Sequence, residues 1–315
     1  MNWLTKLRKF GENIKTAVSE RIKKSEINTA GFVSCCRGPI LESALIENSY
    51  QCPDCSKAFP ISPFLRFSYL FPNKDYELIE CPISGEEDGL NWQDATGKFS
   101  DKLKKVQKKY KIKSALQVAQ GKLFGDTNVV VVASEFGYLG SSIGPSEGES
   151  LLKACDLAIK NNSPLIIFAQ GGGMRLQTSA LSLVQMNRTV LGLNEVKKQN
   201  IPTIVIADHV VAGGISASYA AAADFLIFEG RKTKWMFAGP RVAANVEKGS
   251  LPDRFLEASY CVEHGFGDFI IEKRSETREK LITLLSILLK KDKISAINSV
   301  ENETTESNTA LTKAS

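Results

Sequence analysis

The 315-residue chain is 43% hydrophobic and 24% charged, carries a formal net charge of +5 and contains seven cysteines. That composition provides for a sizeable buried core in one or two domains, and the charge is too small to mark nucleic acid as the main partner. No apolar run reaches the eighteen or so residues of a spanning helix, and Cys81, Cys155 and Cys261 are scattered singly, unlike a disulfide framework, so a cytoplasmic location is expected.

Residues 1–29 place Trp3, Leu7, Phe10, Ile14 and Val18 at helical spacing among Lys6, Arg8, Lys9 and Lys15. The pattern predicts a basic amphipathic arm, which either packs on its own protein or touches a membrane or an acidic partner. Residues 30–60 follow with Cys35-Cys36 and Cys52-Pro53-Asp54-Cys55. A Cys-x-x-Cys turn faces two sulfurs toward one zinc, and two such knuckles close a tetrahedral site. The second pair has that form. Adjacent Cys35 and Cys36 point apart in an extended chain, so the first turn must be reshaped to bind metal. The alternative is a metal-free ribbon packed on Phe32, Ile40, Leu45 and Tyr50.

Residues 60–115, with Pro, aromatic residues and a basic helix from about Ser100 to Tyr110, read as a connector onto a second domain. An α/β pattern begins there, with strands over 119–124 and 129–133, a Gly- and Ser-rich loop over 136–148 and a helix over 149–161. Leu165 to Phe168 form an apolar run without alternation, which suits a strand covered on both faces. Gly171, Gly172 and Gly173 then allow backbone angles and close approach that a side chain forbids. Leu176, Ala180, Leu183, Val184 and Met186 fall at spacings of three and four, the stripe of an amphipathic helix. The expectation is a glycine-lined helix N-terminus whose free N–H groups can hold an oxyanion. A turn that merely lets helix and strand pack closely is the plainer reading. A similar unit recurs at Thr203 to Ala207, Gly213-Gly214 and a small-residue helix over 215–223, and two such units side by side point to a single cleft. Short strands are expected over 225–228 and near 235–237, and disorder beyond about Ser295.

Several separated motifs in this chain fall in one family's order. They are CPDC at 52–55, DGLNWQD at 88–94, FGYLGSSIG at 136–144 with GES at 148–150, GGGMRLQ at 171–177 with SLVQM at 182–186, AGGISASYA at 212–220, FAGPRV at 237–242 and LPDRFLEASYCVEHGFGD at 251–268. Together they resemble the β subunit of bacterial acetyl-CoA carboxylase carboxyltransferase over most of residues 30–290. The resemblance implies an α/β crotonase-type (ClpP/crotonase) domain of stacked ββα units over 61–292, behind a zinc-ribbon-like module. It implies an α2β2 assembly with a separate α subunit, served by biotin carboxylase and a biotin carboxyl carrier protein. The implied reaction moves a carboxyl group from carboxybiotin to acetyl-CoA, giving malonyl-CoA.

By the same resemblance, the N–H groups of Gly172, Gly173 and Met174 stabilise the thioester oxyanion, and Gly213 and Gly214 form the adjoining wall. Gly140, Ser141, Arg175 and Arg241 are assigned to CoA or subunit contacts; Arg175 either orients the turn or meets a phosphate, with a surface ion pair as the plainer alternative. Cys35, Cys36, Cys52 and Cys55 are assigned to structural zinc. The chain departs from the family at three places. Cys35-Cys36 stands for a first Cys-x-x-Cys whose first cysteine falls on Val33, Gly171 to Thr178 stands for Ser-Gly-Gly-Ala-Arg-Met-Gln-Glu, and Gly148-Glu149-Ser150 stands for Gly-Glu-Lys. Backbone donors survive each change. Another acyl-CoA carboxyltransferase or decarboxylase β subunit, or a divergent and weakly active paralogue with a binding role, is the alternative within this class.

Outside it, a hydrolase needs Ser216 as nucleophile with one of the two histidines, His209 or His264. The local sequence is not a G-x-S-x-G elbow, and His264 reads more simply as a helix C-cap. Nucleic acid binding through the ribbon and basic arm is secondary, because the ribbon interleaves few aromatic and basic residues.

Overall fold

The computed structural model describes residues 31–84, 88, 90–239, 252 and 254–290. The expected N-terminal arm, the C-terminal tail and Arg241 lie outside these residues. The chain divides between Cys55 and Ser56 into two compact units.

The first unit is built on a hairpin of β1 (Phe32–Cys35) and β2 (Gly38–Leu41), with Cys35 paired to Gly38 so that Cys36 and Arg37 alone form the turn. Gly38, at φ +114°, takes up the backbone geometry that this tight reversal demands. Helix α1 (Glu42–Glu47) follows and buries Leu45.

The second unit begins with α2 (Pro63–Leu70), where Ser62 accepts a hydrogen bond from the Leu65 N–H and Pro63 occupies the first turn. Strand β3 (Tyr76–Ile79), a small ribbon of β4 (Gln93–Asp94) and β5 (Gly97–Lys98), and the basic α3 (Phe99–Tyr110) come next. The main run is β6 (Leu116–Phe124), β7 (Thr127–Ser134), α4 (Pro145–Lys160), β8 (Leu165–Gly171), α5 (Ala180–Lys198), β9 (Thr203–Ala212), α6 (Tyr219–Ala222), β10 (Phe225–Met236), α7 (Ala258–Glu263), β11 (Phe269–Ile271) and α8 (Thr277–Leu288).

Seven strands form one sheet in the order β11-β10-β9-β8-β7-β6-β3. Strands β7 to β11 are parallel, whereas β6 and β3 add on antiparallel. Both faces are covered, which is why the strands read as unbroken apolar runs. Leu165, Ile167 and Ala169 enter the core with Leu151 and Leu193 from α4 and α5. Ile166 and Phe168 point the other way, into the core with Phe67 of α2 and Leu281 and Leu285 of α8.

Four expectations are corrected. Residues 60–115 are no mere connector, because α2 buries Phe67 and Leu70 and β3 is the edge strand of the main sheet. The two short strands after 225 are one strand, β10, which shifts register between Glu229 and Lys234. The small-residue helix over 215–223 contracts to the four residues of α6. Finally, α5 does not start at the glycines. A short 3-10 turn (Leu176–Thr178) and Ser179 at φ +47° stand between, since continuous helix cannot pass through that backbone angle.

The stripe on α5 also faces the unexpected way. Ser182, Gln185, Thr189, Leu193 and Val196 are buried, whereas Leu181, Leu183, Val184 and Leu191 are exposed. Close approach of α4 explains the small and polar inner face: Gly148 leaves room for the Gln185 amide, and Gly192 lies against Leu152 and Cys155. Among the described residues, no helix is long and apolar enough to cross a membrane.

Candidate active site

Two glycine corners at the carboxyl ends of adjacent strands β8 and β9 face each other. Gly173, at φ +112°, sits so that an added Cβ would lie 3.3 Å from the Ala212 carbonyl oxygen and 3.4 Å from both Gly213 Cα and Gly214 N. Reciprocally, a Cβ on Gly213 would lie 3.4 Å from Gly173 Cα. The close approach of backbone to backbone, with positive φ at both residues (+112° and +60°), favours glycine on both sides.

The loop before α4 forms the third wall. Leu139, Gly140 and Ser141 are all left-handed, at φ +52°, +65° and +51°. Two of them bear side chains, so strain is concentrated beside the first corner. The turn presents the Gly140 carbonyl to the Gly172 N–H at 3.0 Å, and the Ser141 carbonyl lies where a Cβ on Gly171 would be 2.5 Å away.

Two of the corner N–H groups are engaged within the fold. Gly172 N–H is already bonded to Gly140, and Gly213 N–H donates to the Met236 carbonyl at 3.0 Å. Neither is therefore an available oxyanion donor, contrary to expectation for Gly172. The N–H groups of Gly173, Met174 and Gly214 make no hydrogen bond with a described residue. Both corners thus keep donors that no described residue consumes, and such groups stabilise negative charge that develops on a bound oxygen.

The side chains assigned to CoA are placed differently. Arg175 is 1% exposed and pairs with Glu147 at 2.7 Å, so it is neither a surface ion pair nor a ligand contact. Ser141 is fully buried. Gly140 is held between Gly172 and the left-handed turn. Beside the second corner, Ser216, Ala217, Ala221, Trp235, Phe237 and Phe266 help line a cavity of about 500 Å³. Small side chains on α6 and the turn before it leave that space.

The hydrolytic alternative fails on geometry. Ser216 Oγ lies 2.8 Å from two carbonyl oxygens, of Gly213 and Met236, and so serves the corner's own turn. His209 Nδ1 faces the Ala58 carbonyl and His264 Nδ1 faces the Tyr260 carbonyl, while His264 caps α7 as expected. Neither histidine bonds to Ser216.

Within the first unit, the sulfurs of Cys35, Cys36, Cys52 and Cys55 all lie within 4.8 Å of one another, with Cys35 to Cys55 at 3.6 Å and Cys36 to Cys52 at 3.8 Å. Tetrahedral zinc with Zn–S bonds of about 2.3 Å sets sulfurs about 3.8 Å apart. The four residues fit such an ion. The tight turn after β1 is what turns Cys36 back beside Cys35, overcoming the divergence expected of adjacent residues. Desolvation, with the neighbouring Cys55 and Cys52 thiols adding to it, pushes the Cys35 thiol up to about 12. The metal-free cluster therefore holds its protons, and a bound cation would displace them.

Residues 88–313 match the carboxyl transferase domain family. Over 314 residues, the chain is 44% identical to the acetyl-coenzyme A carboxylase carboxyl transferase subunit beta of Pelagibacter ubique (strain HTCC1062), covering 100% of this chain and 99% of the relative. The chain belongs to this family. The same subunit of Chlorobaculum parvum (strain DSM 263 / NCIMB 8327) is 36% identical over 253 residues, which cover 80% of this chain and 89% of that one.

Solved structures agree on the crotonase-type fold. The MdcD–MdcE hetero-dimer of Pseudomonas malonate decarboxylase superposes with a TM-score of 0.55 at 16% identity, over 78% of this chain and 90% of that chain. The transcarboxylase 12S core reaches 0.58 at 20% identity, over 85% of this chain and 46% of that chain. Behind the sheet lies a buried ionic cluster of Arg66, Asp208, Glu229 and Arg274, which sequence reasoning missed because its members are far apart in the chain.

Proposed function

We infer that this chain is the β subunit of an acetyl-CoA carboxylase carboxyltransferase, forming malonyl-CoA for fatty acid synthesis in the cytoplasm. The observation that carries the mechanism is the set of unconsumed N–H groups at Gly173, Met174 and Gly214. Removing a methyl proton from a thioester places negative charge on the carbonyl oxygen, and fixed backbone donors stabilise that oxygen without reorganising. Carboxybiotin, presented by a biotin carboxyl carrier protein that biotin carboxylase charges, supplies the carboxyl group and then a ureido nitrogen able to take the methyl proton. The chain's own work is to orient the thioester and hold its oxygen.

The zinc-ribbon-like module, the carboxyltransferase domain over 61–292 and the flanking arm and tail complete the proposed organisation. Cys35, Cys36, Cys52 and Cys55 are the proposed ligands of one structural zinc, which ties the hairpin of β1 and β2 to the Cys52–Cys55 turn. Metal analysis is expected to find about one zinc per chain, and Cys52→Ser to lose it.

The partner reading, an α subunit in an α2β2 assembly, is supported by the outward face of α5. Leu183, Val184, Asn187 and Leu191 fall in one arc of the helix opposite its buried residues, an uncharged apolar strip on an otherwise solvated surface. Leu183→Glu with Val184→Glu is expected to abolish co-purification with the α subunit. Thermal denaturation of the isolated chain should move little, because neither side chain is buried.

The test is to assay malonyl-CoA decarboxylation coupled to biotin carboxylation with this chain, the cognate α subunit, and the mixture. Activity is expected only from the mixture. Activity of the β chain alone, or an inert mixture that is properly assembled, would overturn the assignment.

A further inference from the structure

The Glu147–Arg175 pair lies directly behind the first corner. Both side chains are completely buried, with Arg175 Nη2 and Glu147 Oε2 at 2.7 Å. A buried ion pair is weak evidence for stability, since desolvation offsets its attraction, and the question is what its geometry fixes.

Hydrogen bonds run from the two side chains to the loop beside the corner and to residues 114–115, just before β6. Glu147 Oε2 also accepts the Gly144 N–H at 2.9 Å, and Oε1 accepts the Ala115 N–H at 2.8 Å and the Ser114 hydroxyl at 3.3 Å. Arg175 Nη2 donates to the Ser142 carbonyl at 2.8 Å. Residues 142–144 are therefore gripped from both ends by one carboxylate and one guanidinium. An added Cβ on Gly144 would lie 2.5 Å from Arg175 Nη1, so the grip leaves no slack.

That loop in turn fixes the corner. Ile143 N–H donates to the Gly173 carbonyl at 2.9 Å, and Arg175 N–H donates to the Ile143 carbonyl at 2.7 Å. A peptide is planar and trans, so a Gly173 carbonyl aimed at Ile143 points the Met174 N–H the opposite way, out of the loop. The direction of a proposed oxyanion donor is thus set by Ile143, and Ile143 is held by the ion pair.

We propose that Glu147 and Arg175 are positioning residues, which aim the Met174 N–H by clamping residues 142–144 against the first corner. The proposal rests on the carboxyltransferase reading and touches no reacting atom. Its consequence is a specific kinetic signature. Substrate still binds when the clamp loosens, but the donor is misaimed in the transition state, so kcat falls and KM does not.

The experiment uses the assembled complex with Glu147→Gln, which keeps shape but removes the charge. Rates are counted per assembled complex, and amide hydrogen exchange is followed in the peptide spanning 171–176. Glu147→Gln is expected to lower kcat for malonyl-CoA decarboxylation about tenfold to a hundredfold, with KM within about twofold, the scale of misplaced catalytic groups. Exchange in 171–176 is expected to quicken while the rest of the sheet is unchanged. If Glu147→Gln does not fold, Arg175→Lys takes its place, since it keeps the charge and loses the fork that reaches Glu147 and Ser142 together.

Unchanged exchange would overturn the clamp. Faster exchange with unaltered kcat, or a raised KM with kcat intact, would overturn the positioning role and leave a structural pair. An assembled wild-type complex with no activity, yet with the expected exchange contrast, would instead sink the carboxyltransferase reading and take the positioning role with it.

Discussion

Gly173→Ala keeps its N–H but misaims and covers the donors, and is expected to lower kcat of the assembled complex about 10²–10³-fold, the scale of losing one oxyanion-hole donor, or roughly 2.7–4 kcal/mol of transition-state stabilisation. Two effects act together. At φ +112° an L-residue is strained, and the new methyl would stand 3.4 Å from Gly214 N, over the donor of the opposite corner. The strain, about 1–3 kcal/mol, is read separately as a lowered midpoint of thermal denaturation. Gly172→Ala is the internal control. Its Cβ would meet nothing within 4 Å, and its N–H is already bonded to Gly140. It should leave the denaturation midpoint nearly unchanged and retain at least about tenfold more activity than Gly173→Ala. Equal losses in the two variants would show that the donors of Gly173, Met174 and Gly214 do not carry the chemistry.

The contrast between these neighbours marks where the sequence stops being legible. Three consecutive glycines announce a backbone corner, and unbroken apolar runs announce parallel strands covered on both faces. Both features are local, and both are found. Which of the three N–H groups stays free depends on Gly140, more than thirty residues away, curling over Gly172. The stripe on α5 failed for a related reason. A spacing of three and four identifies one face of a helix but not the side that meets the core, and here the core face needed glycine neighbours and small polar groups where α4 crosses. Apolar residues were free to serve the outer face. For Arg175 the sequence offers two roles, orienting the turn or meeting a phosphate, and only the buried carboxylate partner beside it, Glu147, favours the first. The cysteine cluster depended on one tight turn at Cys36 and Arg37, which adjacent cysteines do not signal.

Glu229→Gln is expected to destabilise the carboxyltransferase unit by about 3–5 kcal/mol, the cost of breaking a buried ion cluster on one side only. Arg66 meets Glu229 Oε1 and Oε2 at 2.7 Å and Asp208 Oδ2 at 2.7 Å, while Arg274 meets Glu229 Oε2 and Asp208 Oδ1 at 2.6 Å. Two guanidiniums and two carboxylates balance, so loss of one carboxylate leaves an uncompensated positive charge where Glu229 is fully buried. Against a typical domain stability of roughly 5–15 kcal/mol, that is a large fraction. Burial alone raises the Glu229 carboxyl, but the Arg66 and Arg274 guanidiniums outweigh it and hold the group down to about 2. A depressed folded value means that the stabilisation is fully present above the ordinary glutamate range, about 4.3. It is lost as pH falls from there through about 2. In a urea series at pH 7, the double variant Arg66→Met with Glu229→Leu should cost less than the sum of the single changes by about 0.5–3 kcal/mol, because Arg274 and Asp208 remain a neutral pair. The cluster also bears on the site. Asp208 begins the stretch where β9 leaves register with β8, His209 beside it takes φ +59°, and Gly213 and Gly214 follow after Val210, Val211 and Ala212. By anchoring Asp208, the ions behind the sheet fix where the second corner begins, so loss of Glu229 should reduce activity per folded complex as well as stability. Additive costs in the cycle would mean that Arg66 and Glu229 are not coupled, and unchanged activity per folded complex in Glu229→Gln would mean that the corner is held by its own turn alone.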